Sequence, residues 1–144
     1  MHLWLPTLVN LEIPVIAAVD GAAYGGGFNL ALIADFILAS SRARFCSVFG
    51  RIGLVPDGGS TWLLARNIGR VRAMEMALFG EKLPADKALE WGMINKVVED
   101  DQLMATAMEW AETLSTGPTV ALAGMRKLIW DATEGDLGEA LYEE

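Results

Sequence analysis

Two apolar runs flank residues 20–32, which read Asp20-Gly21-Ala22-Ala23-Tyr24-Gly25-Gly26-Gly27-Phe28-Asn29-Leu30-Ala31-Leu32. Three consecutive glycines have no Cβ atoms, so the backbone can adopt positive φ angles and a ligand can approach main-chain atoms closely. The residues that follow predict a helix, whose first turn carries unpaired N–H groups and the positive end of the helix dipole. The stretch therefore predicts a strand, a glycine turn and a helix whose N-terminus suits negative charge.

The flanking runs predict strands. Residues 14–19 are apolar without alternation, which is typical of a parallel strand buried on both faces. Residues 36–39 predict a second buried strand, and Arg44–Cys46 a shorter extended piece. A strand, a glycine turn, a helix and a strand in this order predict a right-handed βαβ crossover.

The rest of the chain has a mainly helical pattern. Proline and glycine residues divide it, because proline disfavours helix in the residue before it and glycine is favoured just past a helix end. The predicted helices cover residues 3–11, 60–69, 71–79, 84–91, 100–114 and 119–132. Residues 50–59 predict a loop, and residues 93–98 alternate like a half-exposed strand.

Length and composition predict one globular domain spanning residues 1–144. The chain has 144 residues, of which 53% are hydrophobic and 21% are charged. Its formal net charge of −8 argues against a nucleic acid or an anionic membrane surface as partner. We therefore expect a small molecule or a protein.

The single cysteine and the single histidine restrict the chemistry further. Cys46 has no second cysteine for a disulfide, and neither Cys46 nor His2 has neighbours at metal-ligand spacing. These features fit a reducing, cytoplasmic setting and predict no metal site. Pro6 and Pro14 interrupt the apolar N-terminal residues, so we predict neither a signal peptide nor a membrane span.

The glycine stretch and Asp57 each have a purely structural interpretation that stays open at this point. The three glycines also fit a tight strand-to-helix turn without any ligand. They do not form a dinucleotide motif, because Leu30 stands where the third glycine belongs, and no Gly-Lys-Ser/Thr follows to make a P-loop. Asp57 stands where an N-cap of the next helix would stand.

A set of short segments carries a resemblance to a known family. These segments are Ile13-Pro14-Val15-Ile16-Ala17-Ala18-Val19-Asp20-Gly21, Gly25-Gly26-Gly27, Ala34-Asp35, Ala43-Arg44-Phe45, Gly53-Leu54-Val55-Pro56-Asp57-Gly58-Gly59 and Trp91-Gly92-Met93-Ile94-Asn95-Lys96-Val97-Val98. In order and spacing the chain resembles the crotonase (enoyl-CoA hydratase/isomerase) superfamily, in particular its ring-1,2-epoxyphenylacetyl-CoA isomerases and similar enoyl-CoA isomerases. The resemblance implies an α/β fold, with a ββα spiral portion in residues 1–98 and C-terminal helices in residues 99–144.

The resemblance also implies a substrate. Family members bind a coenzyme A thioester and place its carbonyl oxygen between two backbone N–H donors that stabilise an enolate. By motif position, the N–H of Gly26 is one donor. The other belongs to an N-terminal half that precedes residue 3, so we expect this chain to be a segment lacking that half-site. The thioester is the substrate, no separate cofactor or metal is implied, and the expected assembly is a homo-oligomer, either a trimer or a dimer of trimers.

Departures from the family pattern indicate the reaction. Hydratases carry two glutamates, at the positions that Asn29 and Phe49 occupy, so simple hydration is disfavoured here. Asp57 stands where several isomerases and a dehalogenase of the superfamily carry their working aspartate. One carboxylate can move a proton between two carbons, so the expected catalytic residues are Gly26 and Asp57. Alternatives are other enolate chemistry, such as hydration or dehalogenation, and a truncated, non-catalytic subunit or fragment.

Further residues are expected to contact substrate. Phe28, Phe49 and Trp62 fit either an aryl or acyl pocket or the core, and Asn29 fits either substrate orientation or a buried amide satisfied by the backbone. We expect apolar neighbours to shield Asp57 from water and so strengthen it as a base. Arg126 and Lys127 fit either CoA phosphates or a solvated pair on a helix. The full predicted substrate-binding set is Tyr24, Gly25, Phe28, Asn29, Phe49, Val55 and Pro56.

Overall fold

The computed structural model describes residues 4–133, with side chains from Pro6 onward. His2 lies outside this range, as do the parts of the predicted elements that fall in residues 1–3 and 134–144. The elements in chain order are α1 (Trp4–Val9), β1 (Ile16–Val19), β2 (Ala22–Tyr24), α2 (Gly26–Ile33), β3 (Phe36–Ser40), β4 (Arg44–Cys46), a 3₁₀ turn (Val48–Ile52), α3 (Ser60–Phe79), β5 (Leu83–Pro84), α4 (Ala85–Glu90), β6 (Lys96–Val98), a second 3₁₀ turn (Asp100–Gln102), α5 (Leu103–Ser115) and α6 (Thr119–Ala132).

The strands form two three-stranded sheets, ordered β1-β3-β6 and β2-β4-β5. β1 pairs with β3 in parallel, with Ile16 opposite Phe36, and β2 pairs with β4 in parallel, with Ala22 opposite Arg44. In chain order, β1 and β2 are followed by α2, and β3 and β4 are followed by α3, so each group forms one ββα turn. Two successive turns are therefore stacked, which is the predicted ββα spiral.

The core lies between α2 and the two sheets. Phe28 and Phe45 are completely buried there, and their rings lie 6.2 Å apart. Leu38 is also completely buried, but it packs with Leu103 and Ala107 of α5. α2 buries most of its residues against this core, although Leu30 remains 51% exposed. α5 covers the other face of the first sheet, where Trp110 meets Phe36 edge to face.

The structure differs from the predicted elements at several points. β2 was not predicted: it lies within the stretch that we assigned to the turn, and it pairs with β4. β1 is only half-buried, because it lies at the edge of its sheet. The strand predicted over residues 93–98 contains only Lys96–Val98. The break at Gly69 is confirmed, because its φ of 78° and ψ of 158° interrupt the helical geometry of α3.

Arg126 joins α6 to α1. Arg126 is 8% exposed, so the interpretation as a solvated residue is wrong for it, whereas Lys127 is exposed and pairs with Asp131. The Arg126 guanidinium donates to the carbonyl oxygens of Val9 and Leu11, both at 2.6 Å, and so satisfies acceptors at the C-terminal end of α1. Arg126 is buried because its guanidinium donates hydrogen bonds both to these carbonyl groups and to a carboxylate.

That carboxylate is Asp35. Its Oδ2 accepts from Arg126 Nε at 2.7 Å and from the backbone N–H of Val15 at 2.7 Å, while its Oδ1 accepts from Trp130 Nε1 at 2.9 Å. Asp35 thereby links α6 to the start of β1 and the loop before β3. Each of its oxygens has a donor, which is the condition under which a buried carboxylate is tolerated.

Replacing Asp35 with alanine should therefore destabilise the fold strongly. It leaves the buried Arg126 charge uncompensated, and we expect a loss of about 3–5 kcal/mol in the free energy of unfolding. The matched control is Lys87→Ala, which breaks an exposed pair with Glu90 and should cost less than about 1 kcal/mol. Urea unfolding of both variants measures these values, and equal losses would contradict the role given to the buried pair.

A second ionic cluster lies at the end of β1. Hydrogen bonds from the Arg42 guanidinium and from the buried Ser40 hydroxyl lower the pKa of Asp20 to about 2. The same ion pair raises the pKa of Arg42. Asp100 also accepts from the Ser41 hydroxyl at 2.9 Å, so this cluster joins β1, β3 and the second 3₁₀ turn.

This cluster predicts a pH dependence of stability. Because the folded pKa of Asp20 lies below its ordinary value of 3.8, the stabilisation is present above that value and is lost as the pH falls towards about 2. The stability difference between the unmodified chain and Asp20→Asn should therefore shrink over that interval. Thermal unfolding from pH 6 to pH 2 measures it, and a pH-independent difference would contradict the assignment.

Candidate active site

Gly25 and Gly26 of the glycine turn have different environments, because Gly25 is buried and Gly26 is exposed. Gly25 adopts a φ of 52°, its N–H donates to the Cys46 carbonyl at 3.0 Å, and a Cβ there would lie 3.3 Å from Val48 Cγ1. Glycine is therefore required at this position by conformation and by space. Gly26, by contrast, is exposed, and nothing lies within 4 Å of its Cβ position.

The first turn of α2 carries the donors expected from the sequence. The first bond within the helix runs from the Asn29 N–H to the Gly25 carbonyl at 2.9 Å. The N–H groups of Gly26, Gly27 and Phe28 precede it, so they have no acceptor within the helix. Together with the helix dipole, these groups can stabilise a negative oxygen. The role of Gly26 as an oxyanion donor remains a prediction.

Asp57 lies in the loop that leads into α3, and its backbone carbonyl is held at three points. It accepts from Asn29 Nδ2 at 2.9 Å, from the Ser60 N–H at 3.2 Å and from Ser60 Oγ at 3.1 Å. Ser60 is buried and was not singled out in the sequence; the only signal was its place directly after Gly58-Gly59. These bonds fix the main chain at Asp57 against α2.

The Asp57 side chain does not cap α3. The N-cap is Gly59, and no side chain makes a capping hydrogen bond there, so the N-cap interpretation of Asp57 is wrong. The reason is that Gly58 and Gly59 both adopt positive φ angles, which are not helical. These two residues therefore separate Asp57 from the first residue of α3. Asp57 is exposed, and Asn29 Nδ2 lies 3.4 Å from its carboxylate Oδ1.

Asn29 connects these two parts of the site. It is 2% exposed, and its Nδ2 bonds to the backbone of Asp57, which fits the buried-amide interpretation. Its Oδ1 is buried and finds no donor in the described part of the chain. The fold thus brings Asn29 of α2 and Asp57 together, while the substrate and catalytic roles of these residues stay predictions.

The other predicted contact residues have mixed environments. Phe28 lies in the core, as one of its two interpretations required, and the Phe49 ring lies beside Gly25, 3.8 Å from its Cβ position. Val55 is 86% exposed, so in this chain it does not shield Asp57 as expected. Pro56 is half-buried. Tyr24 is half-buried, with the Lys82 ammonium 5.7 Å from its ring centre.

A cavity of about 480 Å³ lies away from this site, between α3, α6 and the first sheet. Trp62 lines it, with its ring stacked 6.5 Å from that of Trp130. Neither Gly26, Asn29 nor Asp57 contributes to its lining. Trp62 is therefore separated from the predicted catalytic residues.

Cys46 plays a structural part. Burial raises the pKa of its thiol, which donates to the Gly80 carbonyl at 3.2 Å. Within residues 4–133, no three His, Cys, Asp or Glu side chains form a group that could hold a metal ion. Over the same residues, no helix is both long and apolar enough to cross a membrane.

Comparison with known proteins establishes the family. Residues 2–144 match the family model described as Enoyl-CoA hydratase/isomerase. The chain belongs to this family. A similar curated protein is the 1,2-epoxyphenylacetyl-CoA isomerase of Escherichia coli K12, which is 46% identical over 134 residues, covering 93% of this chain and 51% of the relative.

Solved structures of this family have the same fold. A Polaromonas enoyl-CoA hydratase has a TM-score of 0.94 and 38% identity, covering 99% of this chain and 55% of its own. A Thermobifida fusca protein of the enoyl-CoA hydratase type, solved in complex with CoA, has a TM-score of 0.92 and 32% identity. The match covers 96% of this chain and 54% of the Thermobifida chain. The chain spans about half the length of the curated relatives that it matches.

The geometry around Asn29 predicts different outcomes for two glycines. A Cβ at Gly58 would lie 3.2 Å from Asn29 Nδ2, and its φ of 61° is unfavourable for other residues. Gly58→Ala should therefore destabilise the protein by about 1–3 kcal/mol. Gly27→Ala, at a helical position with open space, should be neutral or stabilise by up to about 1 kcal/mol. Urea unfolding distinguishes them, and equal changes would argue against the close contact.

Proposed function

We propose that the protein acts as an acyl-CoA isomerase that shifts a double bond in an enoyl thioester or rearranges an aryl epoxide thioester. The observation that carries this proposal is the position of Asp57. Its backbone is fixed by three hydrogen bonds, yet its carboxylate is exposed and does not cap α3. A carboxylate whose backbone is fixed, and which has no helix-capping role, suits proton transfer.

The mechanism uses the two predicted catalytic groups. Asp57 removes a proton from a carbon of the acyl chain, and the electron pair moves onto the thioester oxygen to give an enolate. The Gly26 N–H stabilises that oxygen at the N-terminus of α2; one such donor is worth about 3 kcal/mol in comparable sites. Asp57 then returns the proton to a different carbon, so the acid and base are regenerated without a further cofactor.

The absence of a carboxylate at two positions supports isomerisation over hydration. Asn29 is an amide, and its Nδ2 is occupied by the Asp57 carbonyl. Phe49 places a ring beside Gly25. Neither can activate a water molecule, whereas an isomerase needs only one proton carrier. The name of the Escherichia coli relative, 1,2-epoxyphenylacetyl-CoA isomerase, also supports this choice.

The setting of the reaction is part of the proposal. We expect a cytoplasmic homo-oligomer, a trimer or a dimer of trimers, acting on acyl-CoA without a nucleic acid or membrane partner. The relatives are about twice as long as this chain, so the second oxyanion donor is expected from outside these 144 residues.

Two other functions have specific support. Hydratase chemistry on the same enolate has support from the similarity to the Polaromonas enoyl-CoA hydratase, with its TM-score of 0.94. A non-catalytic subunit or fragment is favoured by the half-length match to the relatives. Titration of the purified chain with an acyl-CoA distinguishes the last of these, because an inert chain shows no saturable binding.

The decisive variant is Asp57→Asn. It keeps the size of the side chain and removes the proton carrier, so isomerase turnover should fall by about 10²-fold or more while acyl-CoA still binds. The matched control is Asp86→Asn, an exposed carboxylate in α4, which should leave turnover unchanged. Conversion of an unconjugated enoyl-CoA to its conjugated isomer, followed by ultraviolet absorbance, measures both. Full turnover by Asp57→Asn would overturn the proposal.

A further inference from the structure

We propose that Asn29 is a positioning residue that holds Asp57 beside the first turn of α2. Its catalytic consequence rests on the proposed function, but its structural basis does not. Asn29 lies three residues, or nearly one helical turn, after Gly26. The same side chain therefore connects the helix that carries the predicted oxyanion donor with the loop that carries the predicted base.

The contact is made by a single nitrogen. Asn29 Nδ2 donates to the Asp57 carbonyl at 2.9 Å and lies 3.4 Å from the carboxylate Oδ1 of the same residue. It thus fixes the main chain at Asp57 and faces the side chain. Since Asn29 is 2% exposed, water does not compete for this nitrogen.

The loop is shaped to accept this contact. Gly58 adopts a φ of 61°, and a Cβ there would lie 3.2 Å from Asn29 Nδ2, so a side chain at this position is unfavourable for both the backbone conformation and the contact. Ser60 binds the same Asp57 carbonyl through its N–H and its hydroxyl. Asn29 and Ser60 thus hold one carbonyl from α2 and from α3.

An amide is chemically suited to this position. Its N–H can donate to the Asp57 carbonyl at any physiological pH, and it neither takes up nor releases a proton during the reaction. A carboxylate there would have no proton to donate to the carbonyl and would repel Asp57. Asn29 therefore positions the proton carrier without competing with it.

The first test measures the loop without any substrate. The variant Asn29→Leu keeps the branched shape of the side chain and removes the hydrogen-bond donor. In this variant, exchange of the Ser60 amide proton at pH 7 should accelerate about tenfold relative to exchange of the Phe45 amide proton in the core. The control is Asn95→Ala, which removes a comparable 2.7 Å side-chain bond from the Ile37 N–H in the other sheet. It should leave the Ser60 rate unchanged. Unchanged Ser60 exchange in Asn29→Leu would overturn the proposal.

A second variant gives a signature that a loss of packing cannot produce. In Asn29→Asp, the introduced carboxyl can donate to the Asp57 carbonyl when protonated but not when ionised. Ser60 exchange, corrected for the intrinsic effect of pH, should therefore match the unmodified chain at acidic pH and accelerate at neutral pH. A pH-independent rate in this variant would contradict the positioning role.

The kinetic test separates this inference from the proposed function. If Asn29 positions Asp57, Asn29→Leu should lower kcat at least tenfold and change KM less than about twofold, because a positioning contact acts on the proton transfer. Unchanged kcat would overturn the inference. If the unmodified chain itself shows no isomerase turnover, the proposed function fails, whereas the exchange measurements still decide whether Asn29 holds the Asp57 loop.

Discussion

The conformation of Gly25 sets the direction in which α2 leaves the second sheet. Its N–H donates to the Cys46 carbonyl at 3.0 Å, and its carbonyl accepts from the Asn29 N–H at 2.9 Å. Gly25 is thus the single residue between β2 and α2, and it is hydrogen-bonded to both the second sheet and the helix. With a φ of 52° and Val48 next to the Cβ position, this turn requires glycine. The exposed N–H of Gly26 follows directly from it.

The pairing of β2 with β4 explains why Asp57 lies near that turn. The two strands are parallel, with Tyr24 opposite Cys46, so their carboxyl ends lie side by side. The chain after β2 is the first turn of α2, and the chain after β4 leads through the 3₁₀ turn to Asp57. Open α/β sheets bind ligands at this edge for the same reason. The site is therefore a consequence of stacking two ββα turns.

Much of this arrangement could be predicted from residue patterns, where local preference and tertiary packing agree. The apolar runs that became β1 and β3, the glycine turn, α2 and the break at Gly69 are such cases. β2 could not be predicted, because Ala22–Tyr24 gains its strand conformation only by pairing with β4. Aspartate is favoured at N-caps, so the sequence left a cap interpretation of Asp57 open beside the catalytic one, but two glycines with positive φ angles precede the helix start at Ser60. The contacts of Arg126 span more than 90 residues of sequence, which no local pattern contains.

The buried amide of Asn29 has a cost that packing alone does not explain. Its Oδ1 has no donor among residues 4–133, and a buried, unsatisfied polar group costs about 1–3 kcal/mol. An apolar side chain of similar volume would avoid this penalty, since Ala31, Leu32 and Ile33 in the same helix are buried without it. The compensating gain is the bond from Nδ2 to the Asp57 carbonyl. That bond determines where the exposed Asp57 carboxylate lies relative to the exposed N-terminus of α2. The energetic cost of burying the Asn29 amide is therefore consistent with a role for Asn29 in positioning Asp57.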